Sequence, residues 1–126
     1  MKFTEHRDSN INVVKHYESG LVRINADEYR HSLFLNQHEV YPDWSVKHID
    51  QLTTALLDEI LQTQPEVIIL GTGEQQVFPH PSLFAHCAGK GVGLEVMAND
   101  AACRTFNVIT TEDRDVALAL IFANAG

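Results

Sequence analysis

The chain has 126 residues and a mass of 14.1 kDa, the size of one domain. With 44% hydrophobic residues it can bury about two-thirds of its unfolded surface without disulfide or metal staples. Nine Lys and Arg against seventeen Asp and Glu give a net charge of −8, which repels phosphate backbones and anionic headgroups and argues against nucleic-acid binding and membrane recruitment.

Met1 to Asp8 has no apolar run, and its early acids do not suit a transit peptide. Residues 11 to 17 set Ile11, Val13 and Tyr17 on one face at period two. Glu18-Ser19-Gly20 then supplies a turn, and Leu21 to Asn25 returns as the hairpin partner. After the polar break Ala26-Asp27-Glu28, Tyr29 to Leu35 reads as a third strand, so residues 11 to 35 are expected to form a β-meander. A loop with Pro42 and Asp43 carries the single tryptophan, Trp44, expected as a lid at the core edge. Ile49, Leu52, Leu56 and Ile60 recur at helical spacing, widened by Leu57 and Leu61, with Ser45 as cap and Pro65 as terminator.

The period then changes. Val67-Ile68-Ile69-Leu70 is a continuous aliphatic run, typical of a strand covered on both faces, and Gly71-Thr72-Gly73 breaks it. Pro81 and Ser82 open a short helix carrying Leu83, Phe84 and Cys87, closed by Gly89 or Gly91. Gly93 to Met97 is the next strand, and Asn99 is expected to cap a helix whose Ala102, Thr105, Phe106 and Ile109 share a face. Val116 to Ala123 is a final strand. Its eight apolar residues are the longest such run, far short of a bilayer span. Strands and helices alternating in this way indicate an α/β layer with a largely parallel sheet. This half is also the acidic one: residues 57 to 126 hold nine acids and three bases, against eight and six in residues 1 to 56. The expectation is one soluble, cytoplasmic domain over residues 1 to 126, with its core between about 10 and 123.

Few residues announce chemistry. A buried parallel strand ending in Gly71-Thr72-Gly73 is where α/β folds bind ligands, because glycine lets backbone N–H groups approach an anion. The third glycine and immediate helix of a dinucleotide site are missing, as is the Gly-Lys-Ser/Thr of a phosphate loop. A smaller anion or polar ligand remains open, with Arg114 and Thr105 as contacts; a local salt bridge of Arg114 with Glu112 is the simpler reading. His80, His86 and Cys87 lack the paired spacing of a zinc site, and His31, His38 and His48 are scattered, so no metal is expected. Cys87 and Cys103 read as buried hydrophobes in a reducing compartment. Glu74 and Glu95 could form a carboxylate pair at neighbouring strand ends, though any sheet this acidic would supply one.

Val67 to Gly73, Leu94-Glu95-Val96, Ala102 to Asn107 and Glu112 to Val116, in this order and spacing, resemble a small uncharacterised family of bacteria, archaea and eukaryotes. That family includes the mitochondrial respiratory complex I assembly factor three and an adipogenesis-associated protein. The resemblance implies a single three-layer domain: an N-terminal β-layer and helices, a central mixed sheet whose last strand runs antiparallel to its neighbours, and further helices. It also implies no established catalysis and a role exercised through protein partners. Asn99 departs from the family's common threonine; it still suits a cap but removes a hydroxyl. Lacking a transit peptide, the chain is expected to serve a bacterium.

Three functional readings follow. The first is a non-catalytic protein-interaction or assembly module without cofactor. The second is a small-molecule or anion-binding protein, or an enzyme, with Gly71, Thr72, Gly73, Asn99, Thr105, Asn107 and Arg114 around one pocket. A thiol function of Cys87 or Cys103 stands third. Apolar surface on the meander would also support a homodimer.

Overall fold

The computed structural model describes residues 11–123; Met1 to Asp8 and both ends of the expected domain lie outside the described residues. Strands β1 (Val14–Glu18), β2 (Leu21–Ile24) and β3 (Asp27–Tyr29) form an antiparallel three-stranded sheet. Gly20, at φ +82°, makes the first turn, a conformation glycine adopts without Cβ strain. β4 (Leu33–Leu35) and β5 (Val40–Tyr41) then leave the meander and join a second sheet. The single expected strand over Tyr29 to Leu35 is therefore two strands in two sheets. Alternation stops at Tyr29, whereas Leu33, Phe34 and Leu35 are all buried, as a strand covered on both faces requires.

A 3₁₀ turn over Ile49–Gln51 precedes α1 (Thr54–Leu61). The Thr53 hydroxyl, not Ser45, caps this helix by accepting from Leu56 N at 3.2 Å. The expected helix starts late because the Gln51 side chain takes up the Lys47 and His48 amides, closing a separate turn. β6 (Val67–Gly71), α2 (Pro81–Ala88), β7 (Gly93–Met97), α3 (Asn99–Thr110) and β8 (Val116–Leu120) complete the chain.

The five-stranded sheet has the order β5-β4-β8-β6-β7. β6 is parallel to β7 and to β8, and β8 is antiparallel to β4. The sheet is thus mixed, as the resemblance implies, but the last strand is antiparallel only on its β4 side. On the other side it is the third parallel strand, because α3 carries the chain back to the end at which β6 and β7 begin.

Side-chain alternation divides the core in two. Ile68, Leu70, Ala117 and Ala119 face α1, α2 and Trp44; Ile69, Leu118 and Leu120 face α3 and the meander. Trp44 is buried within the first core, edge-on to Phe34, rather than lying over its rim. Val14, Val22 and Ile24 turn into the second core.

Candidate functional site

The carboxyl end of β6 is a knot of backbone and side chain centred on Asn99, which is 1% exposed. Its main chain and side chain bind both sides of Gly73. Asn99 N donates to Gly73 O at 2.8 Å, and Asn99 Oδ1 accepts from Gly73 N at 3.0 Å. The Asn99 amide nitrogen donates to Ile121 O and to the Tyr17 hydroxyl, each at 3.0 Å. Tyr17 passes the chain on, its hydroxyl donating to Glu74 Oε2 at 2.6 Å. One side chain therefore joins the meander, the turn after β6, the start of α3 and the end of β8. Asn99 is not the expected cap: it is the first residue of α3, Ala98 holds the cap position, and the amide faces the turn instead of the helix.

Gly71 allows this approach. A Cβ there would lie 2.3 Å from Asn99 Oδ1 and 2.8 Å from Leu120 Cδ2. The turn's amides are already engaged, Thr72 N donating to Met97 O and Gly73 N to Asn99. The Thr72 hydroxyl donates to Gln75 O and accepts from Val77 N. Groups that would hold an anion in an open glycine turn here hold the fold together.

The other expected site residues are spread apart. Thr105 donates its hydroxyl to Met97 Sδ at 3.4 Å, on the α3 face of the sheet. Asn107 pins β1, accepting from Val14 N at 3.0 Å and donating to Val14 O at 2.9 Å. Arg114 lies at the opposite end of the sheet, its Nε 3.7 Å from Glu66 Oε1, so its ion-pair partner is Glu66 and not Glu112. Glu66 precedes β6 and Gly71 ends it, which separates them by roughly 17 Å of extended chain. Glu74 is bound to Tyr17, and Glu95 sits mid-strand opposite Ile69, so those two do not share a strand-end site.

Among the described residues, no three His, Cys, Asp or Glu side chains gather as a metal site. His80 caps α2, its Nδ1 accepting from Ser82 N, and His86 Nε2 lies 2.7 Å from Asp58 Oδ1. Cys87 and Cys103 are free and buried. Burial pushes the Cys103 thiol up to about 12, helped by Asp100 and opposed by Arg104, and burial raises Cys87 as well. Both thiols should therefore alkylate slowly in the folded protein at pH 8 and rapidly in denaturant; fast modification of either without denaturant would contradict this burial.

Burial and the Glu74 hydrogen bond raise Tyr17 well above the ordinary tyrosine value. A phenol whose folded-state value is raised contributes stability that is fully present below its unfolded value near 10 and is lost as pH rises through the folded value. Urea midpoints should accordingly fall above about pH 10, and Tyr17→Phe should flatten that fall while lowering stability at neutral pH. An unchanged alkaline slope in the variant would assign the loss to other groups.

What the sequence reading missed lies beside this knot. A cleft of about 530 Å³ opens at the carboxyl ends of β6 and β8, between the Lys47–Asp50 segment and Thr72, Val77, Ile121 and Ala123. Of the expected site residues only Thr72 lines it. A second hollow of about 250 Å³ shares Ile49 and Asp50 with it and continues past Phe78 to Leu83. Val77 and Phe78 are 43% and 65% exposed on the loop between β6 and α2. The available signal was an apolar pair set between two glutamines and Pro79, in neither a strand nor a helix pattern.

A family described as a protein of unknown function (DUF498/DUF598) matches residues 14–121. The chain belongs to this family. One relative, the 13 kDa major membrane protein of Francisella tularensis subsp. holarctica (strain LVS), is 37% identical over 109 residues, covering 85% of this chain and 88% of that protein. Another, the NADH dehydrogenase (ubiquinone) 1 alpha subcomplex assembly factor 3 of Danio rerio, is 36% identical over 85 residues, covering 66% of this chain and 49% of that protein. A solved structure from Xanthomonas campestris superposes with a TM-score of 0.83 at 37% identity, covering 91% of this chain and 87% of that one. The family thus spans proteins named for a membrane and for an assembly process. Among the described residues of this chain, no helix is long and apolar enough to cross a membrane.

Proposed function

We propose that this chain is a non-catalytic assembly module that docks another protein at the carboxyl-end face of its central sheet. The observation that carries this reading is the exposed Val77–Phe78 pair at the groove beside Ile49. Fully burying an aromatic or aliphatic side chain of this size is worth about 1.5–3 kcal/mol, and the fold leaves part of that unrealised at two consecutive positions. Family membership supports the same reading, since assembly factor 3 is a relative. The polar groups at the neighbouring knot bind one another, which suits a rigid platform better than a reacting centre.

The test is gentle affinity isolation from native lysate of the wild-type chain and of Val77→Ser, Phe78→Ser and Val108→Ser. Val108 is also exposed but stands on the outer side of α3, so its variant is the control. A protein recovered in stoichiometric amount with wild type and Val108→Ser, and lost from the two loop variants at unchanged melting temperature, is the expected result. Isolation of a lone protein, or equal recovery with Phe78→Ser, would overturn the proposal.

A further inference from the structure

The central sheet ends on one side in β5, two residues long, and on the other in β7, five residues long. In β7, Gly93 N–H donates to Glu66 O and Met97 O accepts from Thr72 N, so the odd-numbered residues turn their backbone groups toward β6. Strand alternation turns those of Leu94 and Val96 outward. Gln76 Nε2 covers the Val96 carbonyl at 2.9 Å. Leu94 N–H, Leu94 C=O and Val96 N–H have no hydrogen-bond partner among the described residues. That same Gln76 contact ties the loop that goes on to Val77 and Phe78 to the carboxyl end of this edge.

Resting on the docking reading above and supplying its mode, we propose that β7 accepts an added antiparallel strand from a partner protein. That partner segment is extended and carries Lys or Arg opposite Glu95. Charge selects it. Glu95 is exposed, and Leu94 and Val96 pack into the core on the α1 and α2 side, which leaves Glu95 as the side chain presented on the α3 side mid-strand. The stretch from His48 to Gly89, which supplies β6 and the two helices of the opposite face, holds Asp50, Asp58, Glu59, Glu66 and Glu74 and no Lys or Arg, and on the α3 side Arg104 is paired with Asp100 at 3.6 Å.

Register disfavours a second copy. Two-fold pairing that uses the outward groups of both Leu94 and Val96 sets Leu94 against Val96 of the other copy. It thereby brings Glu95 directly opposite Glu95, a like-charge pair that destabilises antiparallel sheets.

The probe is the synthetic peptide acetyl-Ser-Val-Thr-Val-Lys-Val-Thr-Ser-amide, with a counterpart carrying Glu in place of Lys, each titrated to millimolar concentration into the full isotopically labelled chain. The lysine peptide should slow hydrogen exchange at the Leu94 and Val96 amides and bind about fivefold more tightly than its counterpart. Glu95→Lys, a change at an exposed position, should reverse that preference. No protection at these two amides, or a preference untouched by Glu95→Lys, overturns strand addition. Protection that grows with protein concentration in the free chain overturns it in favour of a second copy, and protection at every dilution shows an edge already paired within one chain. A native partner lost with Phe78→Ser but retained by Glu95→Lys would defeat the edge and leave the docking reading standing.

Discussion

Gly71→Ala should lower stability by about 3 kcal/mol and the thermal midpoint by about 10 °C. The new methyl group meets Asn99 Oδ1 at 2.3 Å, Leu120 Cδ2 at 2.8 Å and the Asn99 Cα at 3.1 Å, and only the leucine end is free to yield. Moving the asparagine amide would break its bond to Gly73 N, and moving α3 would disturb its packing on β6 and β8. Gly93→Ala is the internal comparison. There the added methyl group finds Val67 Cγ2 at 3.8 Å, an ordinary contact, and the effect should stay within about 0.5 kcal/mol. Urea unfolding of the two variants beside wild type measures both. Equal midpoints for Gly71→Ala and Gly93→Ala would show that the turn accommodates a side chain and that its closeness to Asn99 carries no stability.

Asn99→Ala should cost about as much, roughly 3 kcal/mol, for a different reason. Truncation leaves Gly73 N–H and Ile121 C=O without the side chain that pairs them, the first partly and the second fully buried. Unsatisfied groups of this kind cost about 1–3 kcal/mol each. Asn99→Thr should lose about half as much, because one hydroxyl can replace the acceptor at Gly73 or one donor bond but not the two donor bonds of an amide. The two positions should also couple. In Asn99→Ala the oxygen that obstructs a Cβ at position 71 is absent, so adding Gly71→Ala should cost markedly less than it does alone. Strict additivity in that cycle would place the strain of Gly71→Ala at Leu120 instead.

The elements with strong periodicity were legible. Val67 to Leu70 reads as a doubly covered strand because every position is apolar, and it is buried throughout. Pro81 opens α2 where a missing N–H breaks no helical bond, and Gly91, at φ +76°, turns the chain away just after its end. The errors fell where local pattern and tertiary partner disagree. Tyr29 to Leu35 looks continuous, yet β2 claims its first residue and β8 claims Leu33 to Leu35. Asn99 has the ideal composition for a helix cap, but the half-buried Gly73 N–H competes for the same oxygen and takes it. Among the candidate site residues, Gly71, Thr72, Gly73 and Asn99 do lie together. Asn107 and Arg114 do not, because adjacency in a motif says nothing about which end of a strand or side of a helix a residue reaches.

The chain is 126 residues long with a net charge of −8, the size and charge expected of one acidic domain. By itself the sequence determined that class, the alternation of strands and helices in its second half, and the family pattern over the same segments. These are properties of composition and short-range period, which local stereochemistry and the hydrophobic effect read directly. Only the tertiary structure decided that the glycine turn is closed by Asn99, that Arg114 stands at the far end of the sheet, that Val77 and Phe78 stay exposed, and that the outward groups of Leu94 in β7 have no partner among the described residues. Those facts depend on which groups compete for the same partner across distances of up to 93 residues along the chain, as between Val14 and Asn107. A linear pattern carries no record of that competition.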